Sequence, residues 1–297
     1  MTYTILSIKA DEREDFEQLG SKPKFWFVRD GQKWLFKESR TTAGEDWSEK
    51  VAAEICTLLH IPAARVELAE FAGRRGSASL SFLAEGQVLL HGNEILAGTV
   101  QGYDKEKRFR QCDHTLHNIL AALNKLFDPT VREAMFRRFA SYLVLDALIG
   151  NVDRHHENWG LVMRFKLAGP VRQFELLPAP TFDHASSLGR EQTDKSRQRM
   201  LEDGDKGMAR YLNRGHGGIY FRPTDAHGAS PLDLVQFAVR QWPAYFAPAL
   251  QSVRELKLDD IAHILSLVPD DRISLLARQF AFVLVQYSAS RLGRLIS

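Results

Sequence analysis

The spacing of apolar residues divides the chain into two unlike halves. In residues 24–39 the pattern reads strand, turn, strand: Lys24-Phe25-Trp26-Phe27-Val28, then Arg29-Asp30-Gly31-Gln32, then Lys33-Trp34-Leu35-Phe36-Lys37. Asp-Gly between two such runs is a strong hairpin signal. Trp47, Val51, Ile55 and Leu58 then recur at helical spacing, predicting a helix over about 45–60 that Pro62 closes. Two further strands are expected at about 65–72 and 77–83, joined by Gly73-Arg74-Arg75-Gly76. The first ninety residues therefore predict a small sheet with one helix.

Helical periodicity dominates the rest. Helices are expected over 113–127 and 129–149, with Pro129 suited to a first turn. Short strands at about 159–165 and 173–178 flank Gly169-Pro170. Three more helices are expected near 231–253, 258–268 and 270–293. Residues 190–218 are rich in charge and glycine without periodicity, which predicts a mobile loop long enough to carry function. There is no internal repeat. The expected fold class is α+β, with a β-rich lobe over 1–90 and a larger helical lobe over 91–297. A crevice between two lobes is the natural place for a ligand.

Composition narrows the function classes. The chain has 297 residues, 44% hydrophobic and 26% charged, which is ordinary for a globular protein with ample core. A formal net charge of +2 gives no global field for nucleic acid, so direct nucleic-acid binding is not expected. No apolar run approaches the ~20 residues of a membrane span, and no basic amphipathic helix addresses a membrane surface. Met1-Thr2-Tyr3-Thr4-Ile5-Leu6 lacks the charged and apolar regions of a signal peptide, and the protein is expected in the cytoplasm. Of two cysteines, Cys56 lies in an apolar helical pattern and reads as a buried thiol rather than half of a disulfide.

The chemistry concentrates in Gly150-Asn151-Val152-Asp153-Arg154-His155-His156-Glu157-Asn158-Trp159-Gly160, a polar run between apolar ones. Asp153 can accept or orient the proton of an attacking hydroxyl. Asn158 offers a neutral hard oxygen of the kind magnesium takes. His155 is expected to brace the loop, while His156 and Glu157 read as exposed spacers. Asp183 ends the strand-like run Leu176-Leu177-Pro178-Ala179-Pro180-Thr181-Phe182 and is a second candidate metal ligand. The neighbouring His184 reads as structural. Lys37 ends a strand, where it could touch nucleotide phosphates while a carboxylate on the next helix holds it. Glu45, Glu49 and Glu54 are the candidates for that carboxylate. Gly20-Ser21-Lys22-Pro23-Lys24 could cover phosphates with backbone amides, although it is neither a P-loop nor a Gly-x-Gly-x-x-Gly run. A rival arrangement gathers Asp153, His155, His156, Asp183 and His184 around two metal ions, as in a phosphohydrolase.

Taken in order, Lys37, Glu49, Asp153-Arg154-His155-x-x-Asn158 and Asp183 resemble the protein-kinase-like superfamily, in the form found in phosphoinositide kinases and HipA-type kinases. The run Glu49–Pro62, the segment Gly20–Trp26 and Ser79-Leu80-Ser81-Phe82-Leu83 are also similar to compact HipA-like kinases. The resemblance implies a bilobal kinase fold that transfers the γ-phosphoryl group of ATP, with Mg2+, to Ser or Thr of a protein substrate. It implies that Lys37 contacts phosphates and pairs with Glu49, and that Asp153 is the catalytic acid. It implies Asn158 and Asp183 as magnesium ligands, and a hinge at 85–89, with Gln87 and Leu89, that meets adenine. By the same analogy Ser21, beside Gly20 in the phosphate loop, is a candidate autophosphorylation site, and a small antitoxin or regulatory protein is a candidate partner. Asp183-His184-Ala185 stands where many kinases have Asp-Phe-Gly. A lipid or small-molecule kinase and a non-catalytic nucleotide-binding pseudokinase are the alternatives that share these motifs.

Overall fold

The computed structural model describes residues 2–16, 23–40, 43–107, 110–168 and 171–296. The first lobe is a six-stranded sheet built from β1 (Ile5–Ile8), β2 (Arg13–Phe16), β3 (Lys24–Arg29), β4 (Gln32–Glu38), β5 (Val66–Phe71) and β6 (Arg74–Leu80), in the order β1-β5-β6-β4-β3-β2. The expected hairpin is β3–β4, with Arg29 opposite Gln32 across Asp30-Gly31. The expected strands after the helix are β5–β6. β1 and β2 carry no local signal. β1 pairs in parallel with β5, Ile5 opposite Leu68, so its partner is remote in the chain.

Strand alternation sorts the two faces of this sheet. Phe25, Phe27, Trp34 and Phe36 close into an aromatic cluster on one face. Lys37, one residue on from Phe36, therefore projects to the other. On that face lies α1 (Glu45–Leu58), whose Trp47, Val51 and Ile55 pack with Leu68. The helix also buries Glu45, Asp46, Glu49 and Lys50, which is uncommon without partners. Partners are present: Glu45 meets Arg190 at 2.8 Å and Asp46 meets Arg272 at 3.1 Å. Both arginines belong to the second lobe, so α1 joins the lobes through charge pairs as well as packing.

Leu80 is followed by a short linker and a turn at 84–87, where the Gln87 amide donates to the Ala84 carbonyl at 3.1 Å. Gly86 sits at φ 75°, the left-handed conformation that this turn requires at its third position. Gln87 and Leu89, expected in a hinge, begin β7 (Gln87–His91). It pairs with β8 (Gly160–Ala168), which pairs with β9 (Val171–Pro178), giving a second, three-stranded sheet.

The helices of the second lobe are α2 (Gly92–Thr99), α3 (Leu116–Leu126), α4 (Pro129–Ile149), α5 (Asp194–Glu202), α6 (Asp205–Arg214), α7 (Pro231–Gln241), α8 (Pro243–Glu255), α9 (Leu258–Ser266) and α10 (Leu275–Gly293). α4 is the central one. Asp128 caps its start by accepting from the Thr130 and Val131 amides, Pro129 occupies the first turn, and Gly150 ends it at φ 66°. Its last turns are buried on every side, and those turns lead directly into the polar loop.

Two expectations fail here. Residues 190–218 are not a structureless loop, because α5 and α6 occupy most of them. The expected helix over 231–253 is two helices: the chain leaves helical geometry at Trp242 (φ −137°, ψ 57°) and restarts at Pro243, which cannot donate into a preceding turn. Cys56 is buried, as expected, and both cysteines are free. Among the described residues no helix is long and apolar enough to cross a membrane.

Candidate nucleotide and phosphoryl-transfer site

Lys37 reaches the space between the lobes from β4. Its Nζ stands 2.9 Å from Asp183, with the lysine side chain 22% and the aspartate 36% exposed. Burial alone would lower the lysine pKa. The facing carboxylates of Asp183, Glu49 and Asp153 more than offset this, so Lys37 is held protonated with its pKa raised. The expected ion pair with Glu49 is replaced by the one with Asp183. Glu49 instead accepts the backbone N–H of His184 at 2.9 Å and lies 3.6 Å from its ring Nδ1. The second carboxylate oxygen of Glu49 is buried and has no hydrogen-bond partner among the described residues. Glu54 is committed elsewhere, at 2.6 Å from Lys50, and Glu45 belongs to Arg190.

Asp183 is delivered by a splice between the lobes. The Thr181 amide donates to the Pro62 carbonyl, and the Ala64 amide donates to the Thr181 carbonyl, each at 2.9 Å. That parallel bridge pins the chain after α1 to the segment before Asp183. Asp183 itself has φ 59°, a left-handed value that Asp tolerates better than most residues. His184 accepts or donates to the Thr181 hydroxyl at 2.8 Å, and the Ser187 hydroxyl donates to the His184 carbonyl at 2.7 Å. His184 is thus structural, as its sequence context indicates, and it locks the turn that presents Asp183.

The loop after α4 presents Asp153 and Asn158 together. The Asn158 side-chain amide donates to the Asp153 carbonyl at 2.8 Å, and Asn158 is only 5% exposed. This fixes the amide orientation and leaves Oδ1 without a hydrogen-bond partner among the described residues. The Asp153 side chain is 52% exposed, with the Ser186 hydroxyl 3.5 Å from its Oδ2. His155 is half-buried with its Nδ1 accepting the Glu157 amide at 3.2 Å, a brace of the kind expected of it.

Three residues hold this loop in ways that its local sequence does not show. The first is Arg154, whose guanidinium forks onto Asp146 of α4 at 2.7 and 2.8 Å while donating to the Asn158 carbonyl at 2.6 Å. Asn151 donates to the same carboxylate at 2.7 Å. Both ends of the loop therefore hang from one buried acid. A lone acid in the apolar run Leu143-Val144-Leu145-Asp146-Ala147-Leu148 was the available signal. The second is His156, expected as an exposed spacer but 1% exposed, its Nδ1 2.8 Å from the Tyr103 hydroxyl. The third is His114. Trp159 Nε1 donates to its Nε2 at 3.0 Å, so its Nδ1 carries the proton and donates to the Gly218 carbonyl at 2.7 Å. Burial pushes the His114 pKa down to about 3, so the ring is neutral.

With His156 turned toward Tyr103 and His184 toward Thr181 and Glu49, the five groups of the phosphohydrolase arrangement are not gathered. Among the described residues no three His, Cys, Asp or Glu side chains converge as a metal site. Gly20 and Ser21 lie outside the described residues. Gln87 and Leu89 lie at the start of β7, opposite Arg164 and Val162 of β8.

A small sheet carrying a lysine, a helix carrying a buried glutamate, and a helical lobe presenting two acid-bearing loops make up a bilobal protein-kinase-like fold. Residues 18–225 match the HipA-like C-terminal domain, and the chain belongs to that family. It is 32% identical over 103 residues to the serine/threonine-protein kinase CtkA of Helicobacter pylori, a segment covering 34% of this chain and 29% of that protein. The crystal structure of the H. pylori proinflammatory kinase CtkA superposes with a TM-score of 0.74 at 20% identity, covering 92% of each chain. HipA of Shewanella oneidensis, in a complex with HipB and operator DNA, superposes with a TM-score of 0.50 at 12% identity, covering 97% of this chain and 66% of that one.

Proposed function

We propose that this protein is a serine/threonine protein kinase that uses ATP and magnesium. The observation that carries the reading is the junction of Lys37 with Asp183 at 2.9 Å, in the field of Glu49 and Asp153. A cation beside acids from two separate loops is what a triphosphate carrying a divalent ion needs. Kinship with a family that includes kinases supports it.

The residues present fit such an ion. Magnesium takes hard oxygen donors, keeps several waters and needs only one or two carboxylates. Asn158 Oδ1, left free for an ion when the side-chain amide donates to Asp153, and the Asp183 carboxylate would be its protein ligands. Bound to the phosphates, the ion would neutralise charge that develops on transfer.

The chain's own groups divide the remaining work. Lys37 supplies fixed positive charge for phosphate oxygens. Glu49 holds the Asp183 turn through the His184 amide, and its charge helps to keep Lys37 protonated. Asp153 remains exposed and accepts the proton of the incoming hydroxyl, or orients it. The Arg154–Asp146 pair keeps Asp153 and Asn158 in fixed relation, which matters because positioning supplies most of the rate in this class of reaction. The turn and strand at 85–89, with Gln87 and Leu89, are the proposed adenine side of the site, and Gly20 and Ser21 the proposed phosphate cover. A small regulatory or antitoxin-like partner remains part of this reading.

Thermal unfolding in the presence of ATP, with and without magnesium, tests it. The wild-type chain should be stabilised by magnesium-ATP. Asp183→Ala should lose the magnesium-dependent part of that shift. A chain that no nucleotide stabilises would refute the reading.

A further inference from the structure

Apart from the interlobe crevice, one cavity stands out beside the catalytic loop. It has a volume of about 540 Å3. Gly150 and Val152 form one wall, and Val152 immediately precedes Asp153. α5 and α6 form the other, contributing Arg199, Arg210 and Arg214. These helices pack closely at Gly207, where a Cβ would meet the Met200 carbonyl oxygen at 2.1 Å, so the wall is a built element.

Its charge is lopsided. Arg210 is paired with Asp203 at 2.8 Å. Arg199 and Arg214 form no ion pair or side-chain hydrogen bond with any described residue. Among the described residues that line the cavity Glu191 is the only acid, and it is engaged by the Tyr211 hydroxyl at 3.0 Å. Arginines left without acids on a convex surface are merely solvated. In a concavity their field is focused, and the planar guanidinium is matched to carboxylates.

We infer that this cavity binds an acidic stretch of the protein that is phosphorylated, flanking its acceptor Ser or Thr, and so places the hydroxyl at Asp153. The inference rests on the kinase reading above and adds the class of acceptor. The cavity has room for a few residues of extended chain and not for a folded domain. Its sign works against polyamine or amino-sugar acceptors. Nucleic acid is the weaker occupant. The chain's net charge is only +2, and Tyr211, the one aromatic ring among the described residues that line the cavity, is packed edge-on to Phe280 and bonded to Glu191.

The test uses the full chain and three labelled probes of equal length: an Asp/Glu-rich peptide with a central Ser, a Lys/Arg-rich peptide with the same Ser, and a single-stranded RNA. Binding is read by fluorescence anisotropy. The acidic peptide should bind in preference to the basic one, and Arg199→Glu/Arg214→Glu should weaken it by at least about ten-fold. Arg199→Lys/Arg214→Lys should retain part of the affinity, and melting curves confirm that both variants are folded. Acidic-peptide binding untouched by charge reversal, or tighter RNA binding lost in the same variant, would overturn the inference. Phosphate transfer to the same peptides separates the two claims. Acidic-peptide binding at the cavity without transfer would sink the kinase reading and keep the anion site. Equal transfer to the basic peptide would keep the kinase and sink the acidic-acceptor assignment.

Discussion

Lys37 and Asp183 lie 2.9 Å apart, although they are carried by different lobes and separated by most of the matched domain. Each is partly exposed, so their mutual attraction adds at most about 1 kcal/mol to stability. Their juxtaposition matters for what enters between them. Lys37→Met should lower kcat/KM by about 10²-fold, the usual cost of removing one donor aimed at developing charge. Asp183→Asn should weaken magnesium-dependent nucleotide binding while leaving the urea midpoint nearly unchanged. Steady-state kinetics and equilibrium unfolding on the same preparations check both.

Glu49 acts through the turn it holds. Replacement by Ala leaves the buried His184 N–H without its acceptor, at a cost of about 1–3 kcal/mol. Glu49→Gln keeps a carbonyl oxygen for that N–H and should recover most of the stability. It removes the charge facing Lys37, so its nucleotide affinity should still fall below wild type. Urea titrations and nucleotide-binding isotherms for the two variants distinguish the roles.

Asp146 and Arg154 form a buried pair with both nitrogens of the fork engaged. Arg154→Leu strands a buried carboxylate and should destabilise the chain by about 3–5 kcal/mol. Removing both partners with Asp146→Leu/Arg154→Leu should cost less than the sum of the single changes. A double-mutant cycle in urea measures that coupling.

His114 predicts a pH dependence. Its pKa falls from 6.5 to about 3 on folding, so the unfolded chain binds the proton more readily. Stability from this group is complete above pH 6.5 and is lost as the pH falls from there toward 3. The slope is at most about 1.4 kcal/mol per pH unit. Urea unfolding at intervals from pH 7 to 4.5 should show a shallower decline in His114→Gln than in wild type. Parallel declines would show that another group carries the effect.

Much of the site was legible because its residues obey local rules. Alternation places Lys37 opposite Phe36, helical spacing defines α1, and Asp153 and Asn158 stand in a polar loop that apolar runs isolate. What holds those residues was not legible. Asp146 and Arg154 meet only because Gly150 turns the chain out of α4. His156 is buried because Tyr103, from a distant segment, receives it. Glu49 was readable as a functional acid, but its partner could not be assigned, since Asp183 arrives from 134 residues away through the Thr181 splice. α5 and α6 escaped detection because they are short, polar and buried at few positions, among them Arg197, Met208 and Leu212. α5 presents no continuous apolar stripe, and the one on α6, Met208, Tyr211 and Leu212, spans a single turn.

The central claim is that Asp153 serves the hydroxyl that receives phosphate at the site Lys37, Asn158 and Asp183 define. The most direct measurement is transfer from γ-labelled ATP to Ser or Thr in protein by wild type and Asp153→Ala, with nucleotide affinity determined for each. The account predicts magnesium-requiring transfer that falls by about 10²–10⁴-fold in the variant while its affinity for nucleotide persists. Undiminished transfer by Asp153→Ala would contradict it.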